Sequence, residues 1–490
     1  MADWPREIVC RKLYGPEVEN AELNLCRTFA LLEHGCVLHT DFTGHRGPQT
    51  GMKMFERALE ELGLPKGWLL FFRDSEKVPS IQRVILASEH PPCHLLKRTE
   101  SRLSQGARAK IQEMRPNKDD STAEKFRAYK AQDIWMKRHA AEAFPEHASV
   151  GDCLTHPTKE CQIAYRLTEG QDHQPLSVSM TGFSCTPFTP LGNQMKFAHP
   201  ATEANQVFIN AEANTKHNIK FIENSARYPK EHFQQEFGKG ATCLHAIIDS
   251  AILGFPVTRN RFNGAAIDDA TMVSLLPAGD VTEEFEAFFK CMPALDADVF
   301  AYCDTPENIA DFRNSLATHP ERATNGHPHV SDCLPPNEVV NFESYIKDFL
   351  DTGSHVGRDG CLVADVSQSK AHRRCGAWLP PIATSTTMVS LTADKNGGAD
   401  AYFFTPSELA FAHGFPATPM SPEKYKDCST FDLMALTQNK QKEGLGNGMH
   451  IVAMVAWYAF VFAHTLRRDS LPLARPNLDI VGFHGWPDDD

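Results

Sequence analysis

The sequence lacks both the cysteine spacing of a zinc finger and the cysteine density of a secreted disulfide scaffold. Its 14 cysteines are scattered through 490 residues without one C-x-x-C pair. This pattern favours a reducing compartment, and we expect no bound metal. The opening residues, MADWPREIVC, lack the apolar core of a signal peptide. We therefore expect an intracellular protein, nuclear in a eukaryote and cytoplasmic otherwise.

The longest uninterrupted apolar run in the sequence is shorter than a membrane-spanning helix. The longest, residues 451–463, holds 13 residues, whereas a bilayer requires about 20. It predicts a buried helix and no membrane partner. Internal repeats and low-complexity tracts are also lacking, which excludes a solenoid. With 42% hydrophobic residues, the chain has the composition of a globular protein of two to four domains.

The chain also has no excess of positive charge, because it contains 49 basic and 62 acidic residues. A nucleic-acid contact must therefore be local. Residues 97–138 hold 12 basic and 6 acidic residues, and a second basic segment, residues 358–374, contains Lys370, Arg373 and Arg374. We favour the second segment, because interleaved acids in the first are typical of a solvated helix. Residues 262–350 carry a net charge of −12, whereas residues 351–400 are neutral.

Short apolar runs separated by helix-like sequence recur through the first 260 residues. They cover residues 36–42, 68–73, 176–180 and 219–222. The intervals exceed what a crossover connection needs, so the rhythm predicts an α/β fold with a doubly wound, mostly parallel sheet. Ligands bind at the carboxyl ends of the strands in such sheets. The residues that follow each run are therefore the candidates for a functional site.

Chemically distinctive residues follow these runs: a glycine-bearing turn, then acids, then a thiol and a carboxyl group. In chain order they are Phe42, Thr43, Gly44 and Gly47, then Asp74 and Glu76, then Asp152 and Cys153, then Cys185, and finally Glu223. Each one alone is compatible with a tight turn, a solvated acid or a buried thiol. Together they predict one pocket in which a thiol and a carboxyl group meet.

Taken in order, these residues resemble the motifs of the cytosine-5 methyltransferase family. The family's DxFxGxGG cofactor loop, acid, GD pair, PCQxxS nucleophile loop and ENV align with the residues above. Its GxPQxRxR, TPRE…QGFP and IGN motifs are similar to residues 254–261, 405–416 and 445–447. The chain departs from the family at Ser184, Thr186, Ser225 and Val257. It keeps the thiol, the glutamate and both arginines of the third motif, Arg259 and Arg261.

The resemblance implies the Rossmann-like fold of S-adenosylmethionine-dependent methyltransferases, a doubly wound α/β sheet with an inserted target-recognition domain. It places a first part of the catalytic domain at residues 1–261, including the basic insert 97–138. The target-recognition domain is expected at residues 262–400, and residues 401–490 are expected to complete the catalytic domain. The two ends of the chain would then share one domain.

The resemblance further implies a DNA (cytosine-5)-methyltransferase that uses S-adenosyl-L-methionine and releases S-adenosyl-L-homocysteine. The target cytosine is flipped out of the duplex, Cys185 adds to its C6, and Glu223 bonds N3. Arg259 and Arg261 are expected to hold phosphate or the base. The cofactor is assigned to Phe42, Thr43, Gly44, Gly47, Asp74, Glu76, Asp152, Cys153 and Asn447. Among the acids, Asp74 is preferred to Glu76 for the ribose hydroxyls.

Two alternatives stand beside DNA methylation, which is favoured by an insert of roughly 140 residues. An RNA methyltransferase is favoured because residues 185–189, CTPFT, are similar to the CQPFT of the tRNA-modifying branch. A catalytically degenerate, cofactor-binding regulatory homologue is favoured by the changes at Thr186, Ser225 and Val257. The sequence favours no particular oligomeric state.

Overall fold

A computed structural model describes residues 3–13, 20–42, 44–166, 173–183, 185–188, 195–289, 296–316, 330–352, 361–369, 375–384, 386–393 and 399–470. The strands in these segments are β1 (Cys36–Asp41), β2 (Leu69–Ser75), β3 (His94–Leu96), β4 (His147–Ala148), β5 (Cys161–Gln162), β6 (Leu176–Thr181), β7 (Ile219–Ser225), β8 (Ala241–Ile248), β9 (Arg261–Asp268), β10 (Met272–Ser274), β11 (Gly279–Asp280), β12 (Cys361–Asp365), β13 (Cys375–Gly376), β14 (Met388–Ala393), β15 (Ala399–Phe403) and β16 (Thr465–Arg467). The α-helices are α1 (Ala21–Leu32), α2 (Gly47–Glu61), α3 (Pro79–Ala87), α4 (Gln105–Glu113), α5 (Thr122–Arg138), α6 (Ala140–Ala143), α7 (Ala201–Ala213), α8 (Lys230–Phe237), α9 (Thr282–Phe288), α10 (Pro306–Leu316), α11 (Pro336–Thr352), α12 (Pro406–Ala412), α13 (Glu423–Lys426), α14 (Gln438–Asn447) and α15 (Ile451–Ala463).

The central sheet has eight strands in the order β11-β8-β9-β7-β6-β1-β2-β3. Its middle strands pair in parallel, and β9 alone of the paired neighbours runs antiparallel to both β7 and β8. The chain builds outward from β1 to β3 and then restarts at β6 on the other side of β1. The predicted doubly wound, Rossmann-like sheet is thereby confirmed, and its topological switch point lies between β1 and β6.

Strands at the centre of the sheet are buried on both faces. β1 and β6 are buried at every position, including their polar residues. This is the pattern of parallel strands that helices cover on both sides. The four apolar runs identified in the sequence correspond to β1, β2, β6 and β7.

The apolar run near the end of the sequence forms α15, whose 13 residues are all buried. This helix packs against α1 and α2, so the last described part of the chain completes the core around the first strands. By length and composition Gln438–Ala463 could cross a membrane, but 83% of its most apolar window is buried inside the protein. The prediction of a buried helix is confirmed.

A second, smaller unit has its own sheet and core. β13, β12, β14 and β15 form an antiparallel sheet in that order. Phe312 and Tyr345 pack with apolar residues of this sheet in a separate cluster. The cluster contains residues from both the acidic part, 262–350, and the neutral part, 351–400, of the expected target-recognition domain. The limits at residues 261 and 400 remain predictions. β9 and β11 place residues up to Asp280 in the central sheet, and β15, at residues 399–403, spans the predicted limit at residue 400.

Candidate functional site

A cavity of about 310 Å³ opens at the carboxyl ends of the central parallel strands. Its volume is at the lower end of the range for small-molecule sites. Residues expected at the site line it together: Phe42, Gly44, Gly47, Glu76, Cys185, Glu223, Arg259, Arg261 and Asn447. They come from both ends of the described chain, and the switch point of the sheet brings them to one place.

Other expected residues are not found on the cavity wall. Thr43, Lys370, Arg373 and Arg374, together with Ser184, lie outside the described residues. Asp74, Asp152 and Cys153 are described but line other parts of the structure. The predicted thiol and carboxyl group therefore share a cavity, whereas two of the three predicted cofactor acids do not face it.

The turn after β1 forms one wall of the cavity. Phe42 has a φ of 54° and Gly44 a φ of 52°, which is left-handed backbone that only glycine adopts without strain. Contacts hold Phe42 in this conformation, because its ring packs edge-on against Phe208 with the centroids 6.4 Å apart. The Gly44 amide donates to Glu76 Oε2 at 2.9 Å. The cofactor loop predicted from the sequence is thus anchored to the second strand end.

Asp74 is engaged inside the protein, which corrects the preference for it as the ribose acceptor. Its Oδ2 accepts a hydrogen bond from Arg46 Nε at 3.0 Å. Its Oδ1 accepts from Thr40 Oγ1 and Gln49 Nε2, both at 2.8 Å. Only 1% of Asp74 is exposed. Arg46 also donates to the carbonyl of Thr430 at 3.0 Å, so this pair fastens the cofactor turn to the C-terminal segment.

Glu76 takes the position on the cavity wall that was expected of Asp74. Its Oε1 accepts from the Val78 amide at 2.8 Å, and its Oε2 accepts from Gly44. Burial raises the pKa of Glu76, while the amides of Val78 and Gly44 oppose this shift. The Lys77 amide also hydrogen-bonds this carboxyl group, so backbone amides hold Glu76 on the cavity wall.

Asp152 and Cys153 are not among the residues that line the cavity, and their cofactor contacts stay a prediction. The third parallel strand is β3, and Cys153 bridges to Leu96 at its end from an antiparallel segment. The Asp152 carboxylate pairs with Arg108, with Nη2 and Oδ2 2.6 Å apart. Sequence analysis missed β3 because it has only three residues. The residues that follow it line the cavity instead: Arg98, Thr99 and Glu100.

Cys185 and Glu223 mark the opposite side of the cavity. Cys185 lies in the turn after β6, where its carbonyl accepts from the Phe188 amide at 2.9 Å. Glu223 lies in β7 and is 8% exposed. Arg261 begins β9, which pairs with β7, and its Nε lies 2.9 Å from Glu223 Oε1. A thiol, a carboxyl group and a guanidinium therefore meet at two adjacent strand ends.

Burial dominates the electrostatics of this group. It raises the pKa of the Cys185 thiol, against the charges of Arg261 and Arg259 and together with that of Glu223. It also raises the pKa of Glu223, against the same two arginines. Protonated forms of both side chains are thereby favoured. Glu223 is suited to donate a proton, and Cys185 must lose one before it can act as a nucleophile.

Arg259 is a positioning residue. Its guanidinium donates to the carbonyls of Ile382 at 3.1 Å, of Gly446 at 3.3 Å and of Gly448. Burial and the neighbouring Arg261 lower the pKa of Arg259 to about 9. Arg259 thus ties the segment that carries Asn447 to the cavity wall, while Arg261 is the arginine that binds the carboxyl group.

The end of α14 packs closely against the cofactor turn and against Thr384, and one glycine permits each contact. A Cβ on Gly444 would lie 1.8 Å from the His45 ring, and one on Gly446 would lie 2.3 Å from the Thr384 nitrogen. Lys440 also lines the cavity beside Asn447. The sequence analysis missed this wall apart from Asn447. Three alternate glycines at 444, 446 and 448, unfavourable inside a helix, were the available signal.

A closed ionic network contains Asp41, the last residue of β1. Its Oδ2 accepts from Arg73 at 2.8 Å and from Arg102 at 3.0 Å. Arg102 also donates to Glu212 at 2.7 Å, and Arg73 lies 3.7 Å from the same carboxylate. All four side chains are buried. The network links the end of β1 to β2, to the 3-10 turn that follows β3 and to α7.

No protein-family model matches the chain, and no curated protein sequence matches it. Similar solved structures are methyltransferases. They include a Dnmt2 methyltransferase from S. pombe, with 10% identity, a TM-score of 0.43 and alignment over 87% of this chain and 97% of that chain. The methyltransferase EhMeth from Entamoeba histolytica has 11% identity and a TM-score of 0.42, over 88% and 98% of the two chains. A putative DNA modification methyltransferase from an E. coli prophage has 11% identity and a TM-score of 0.40, over 87% and 98%.

Proposed function

We propose that this chain is an S-adenosyl-L-methionine-dependent DNA (cytosine-5)-methyltransferase. The proposal rests on the observation that Cys185, Glu223 and Arg261 line the same cavity as Gly44 and Glu76. A nucleophilic thiol beside a proton-bearing carboxyl group is what activation of cytosine at C5 requires. A glycine-bearing turn with an acid beside it is what a nucleoside cofactor requires.

In the proposed reaction, the Cys185 thiolate forms a bond to C6 of a flipped cytosine. Glu223 holds a proton at N3, which neutralises the negative charge that this addition places on the ring. Arg261 fixes the Glu223 carboxyl group through the 2.9 Å contact. C5 would then take the methyl group that the bound cofactor supplies, and water would accept the C5 proton. The C6–Sγ bond then breaks, which releases Cys185 as a thiolate, and the N3 proton returns to Glu223. The target base must leave the duplex, because stacking hides C6.

The cavity suits a nucleoside cofactor in volume and in lining. Glu76 offers a carboxylate to ribose hydroxyls, and Phe42, Val78 and Ile81 offer apolar surface to a base. Asn447 is assigned to the methionine end. When bound, S-adenosyl-L-methionine supplies an electrophilic methyl group. The two functional sides of the cavity thus hold cofactor and target base next to one another.

Nucleic-acid contact is proposed for Lys370, Arg373 and Arg374, as the charge pattern predicts. The rival basic segment, residues 97–138, has much of its charge engaged in ion pairs. Arg108 pairs with Asp152, Lys110 with Glu113, Arg115 with Glu203, and Lys137 with Asp133 and Glu236. Paired cations release fewer counterions from phosphates, so this segment is the weaker candidate for the duplex.

Transfer of tritiated methyl from S-adenosyl-L-methionine to unmethylated duplex DNA and to unmodified tRNA tests the proposal. DNA labelling by the wild-type chain is expected, and Cys185→Ala is expected to bind the cofactor with unchanged affinity but to label nothing. Cys26→Ala, a partly exposed cysteine on α1, is the control and should retain full activity.

The other outcomes separate the alternatives. Labelling of tRNA alone would favour the RNA methyltransferase, which the similarity of residues 185–189 to CQPFT also favours. Cofactor binding without transfer to either substrate would identify a degenerate homologue. Undiminished transfer by Cys185→Ala would contradict the covalent mechanism.

A further inference from the structure

Four side chains away from the cavity wall converge at the edge of the central sheet. They are His94, Cys153, His156 and Cys161, and one candidate ligand atom from each lies within 4.8 Å of the other three. Cys153 Sγ and His156 Nδ1 are 3.8 Å apart. Two thiols and two imidazoles are a donor set typical of structural zinc.

The spacing of these atoms is close to that of a tetrahedral site. With zinc bonds of about 2.0–2.3 Å, neighbouring ligand atoms are about 3.3–3.8 Å apart. The 3.8 Å contact falls at the end of this range, and the widest separation of 4.8 Å exceeds it by only about 1 Å. Small side-chain rotations would therefore close the cluster around one ion.

Backbone hydrogen bonds help to position the four candidate ligand residues. Cys153 bridges to Leu96 of β3, the strand that begins at His94. The Leu154 amide donates to the Leu95 carbonyl at 2.7 Å, on the same stretch. Cys161 begins β5 and pairs with β4. Hydrogen bonds thus join the segments of His94 and Cys153, and they join Cys161 to Ala148, which lies five residues before Cys153 in the chain.

Burial and an orphaned ring nitrogen point to a ligand at this cluster. Cys153 is 0% exposed and Cys161 is 2% exposed, and neither forms a disulfide. Among the described residues, His94 Nδ1 is buried and has no hydrogen-bond partner. A buried ring nitrogen usually has a hydrogen-bond partner or binds a metal ion, so one without a hydrogen-bond partner is rare. Two thiolates would balance the charge of one Zn²⁺, which makes a buried ion acceptable.

We propose that His94, Cys153, His156 and Cys161 bind one structural Zn²⁺. The ion would join the edge strand β3 to the segment that carries Asp152. Arg98, Thr99 and Glu100 follow β3 directly and line the cavity, so the ion would stiffen that wall. The absence of a C-x-x-C pair led the sequence analysis to expect no metal. The ligands here have the pattern C-x₂-H-x₄-C, completed by a histidine far upstream.

Metal analysis of the full-length chain, purified without a polyhistidine tag, tests this proposal. About one zinc per chain is expected, and removal with a chelator should lower the melting temperature. Replacement of the zinc by Co²⁺ should give the visible absorption of tetrahedral cobalt with a thiolate-to-cobalt charge-transfer band. This spectrum reports the donor set without any variant.

Single variants locate the site. Cys153→Ser and Cys161→Ser should each retain less than about a tenth of the wild-type zinc and weaken the charge-transfer band. Cys93→Ser should bind zinc like the wild type, because Cys93 adjoins His94 but is not in the cluster. A wild-type chain with no zinc and no cobalt spectrum, or with a disulfide between Cys153 and Cys161, would overturn the proposal.

Discussion

Two buried glutamates of this chain, Glu212 and Glu223, each lie beside two arginines, yet their pKa values shift in opposite directions. Burial alone would raise the pKa of Glu212, but His217, Arg102 and Arg73 hold it well below the ordinary range. The pKa of Glu223 is raised by burial, and its two arginines do not reverse the shift. His217 and Lys220 add to the effect of the arginines on Glu212, and the two pairs of arginines also differ in what else they bind.

Arg102 and Arg73 direct their guanidinium groups at carboxylates, and both form close ion pairs with Glu212 and Asp41. Arg259 directs its guanidinium at backbone carbonyls, which leaves Arg261 as the one close partner of Glu223 among the described residues. A carboxylate in a closed network is a permanent structural ion. A carboxyl group that lines a cavity, and whose charge neighbouring cations compensate only in part, is able to exchange a proton.

The same contrast separates the two acids at the end of β2, Asp74 within the strand and Glu76 directly after it. Asp74 is enclosed by Arg46, Thr40 and Gln49, whereas Glu76 faces the cavity and is held only by backbone amides. In both pairs the enclosed acid supports the structure and the acid that faces the cavity is the candidate for chemistry. Variants at these positions test this division.

The largest effect is expected from Glu223→Gln, which removes the proton donor but keeps the shape of the side chain. Methyl transfer should fall by about 10²- to 10⁴-fold, the usual contribution of a positioned general acid or base. The urea midpoint should change little, because the partner Arg261 stays partly exposed to solvent. Turnover within about threefold of the wild type would remove Glu223 from the mechanism.

Glu212→Gln should instead act on stability. Removal of this charge leaves Arg73 and Arg102 buried without full compensation, which costs about 3–5 kcal/mol of unfolding free energy. Urea unfolding measures the loss. Glu113→Gln, which breaks an exposed pair with Lys110, is the control and should change stability by less than about 1 kcal/mol. Equal effects of the two variants would contradict the proposed difference between closed and open acids.

Glu76→Gln should weaken cofactor binding with little change in stability. Loss of a hydrogen bond to a charged group costs about 1.5–3 kcal/mol, so the dissociation constant for S-adenosyl-L-methionine should rise about 10- to 100-fold. Titration calorimetry measures this directly. Asp74→Asn is the matched comparison. It should lower the melting temperature, and it should change the dissociation constant for S-adenosyl-L-methionine less than Glu76→Gln does. Normal cofactor affinity in Glu76→Gln would argue that the ribose binds elsewhere.

The smallest effect concerns the pH dependence of Cys185. Because its pKa is raised, the thiol stays mostly protonated at neutral pH, and its alkylation by iodoacetamide should still increase about tenfold per pH unit as the pH reaches about 8.5, the ordinary pKa of a thiol. Peptide mass spectrometry distinguishes Cys185 from the other cysteines. Arg261→Gln should slow the alkylation further, since the Arg261 charge opposes the shift. A plateau below pH 7 would indicate a thiolate already formed in the resting protein.

Much of the sheet and the chemistry at its strand ends could be predicted from the sequence, because both are local patterns. Cys185 and Glu223 each follow or lie within a recognisable apolar run. Contacts between distant segments could not be predicted this way. The hydrogen bond from Arg46 to Thr430 spans 384 positions, and it is part of what makes Asp74 unavailable to a ligand.

Domain limits were less accessible than strand positions. The charge change near residue 350 follows surface composition, whereas the core that includes Phe312 and Phe403 depends on apolar packing across that point. The edge strand β3 is too short to leave a periodic signal, so Asp152 was assigned to a strand end that belongs to β3. Sequence patterns therefore predict central strands better than edges.

The position of α15 has a consequence for biosynthesis. This helix packs against α1 and α2, but it leaves the ribosome roughly 390 residues after α2 ends. At about 5–20 residues per second, the apolar faces of the first helices wait roughly 20–80 s for their partner. The smaller unit from α10 to β15 is finished earlier and has its own core. The inserted part of the protein should therefore fold before the domain that contains it, and the nascent first domain is the stage most in need of a chaperone.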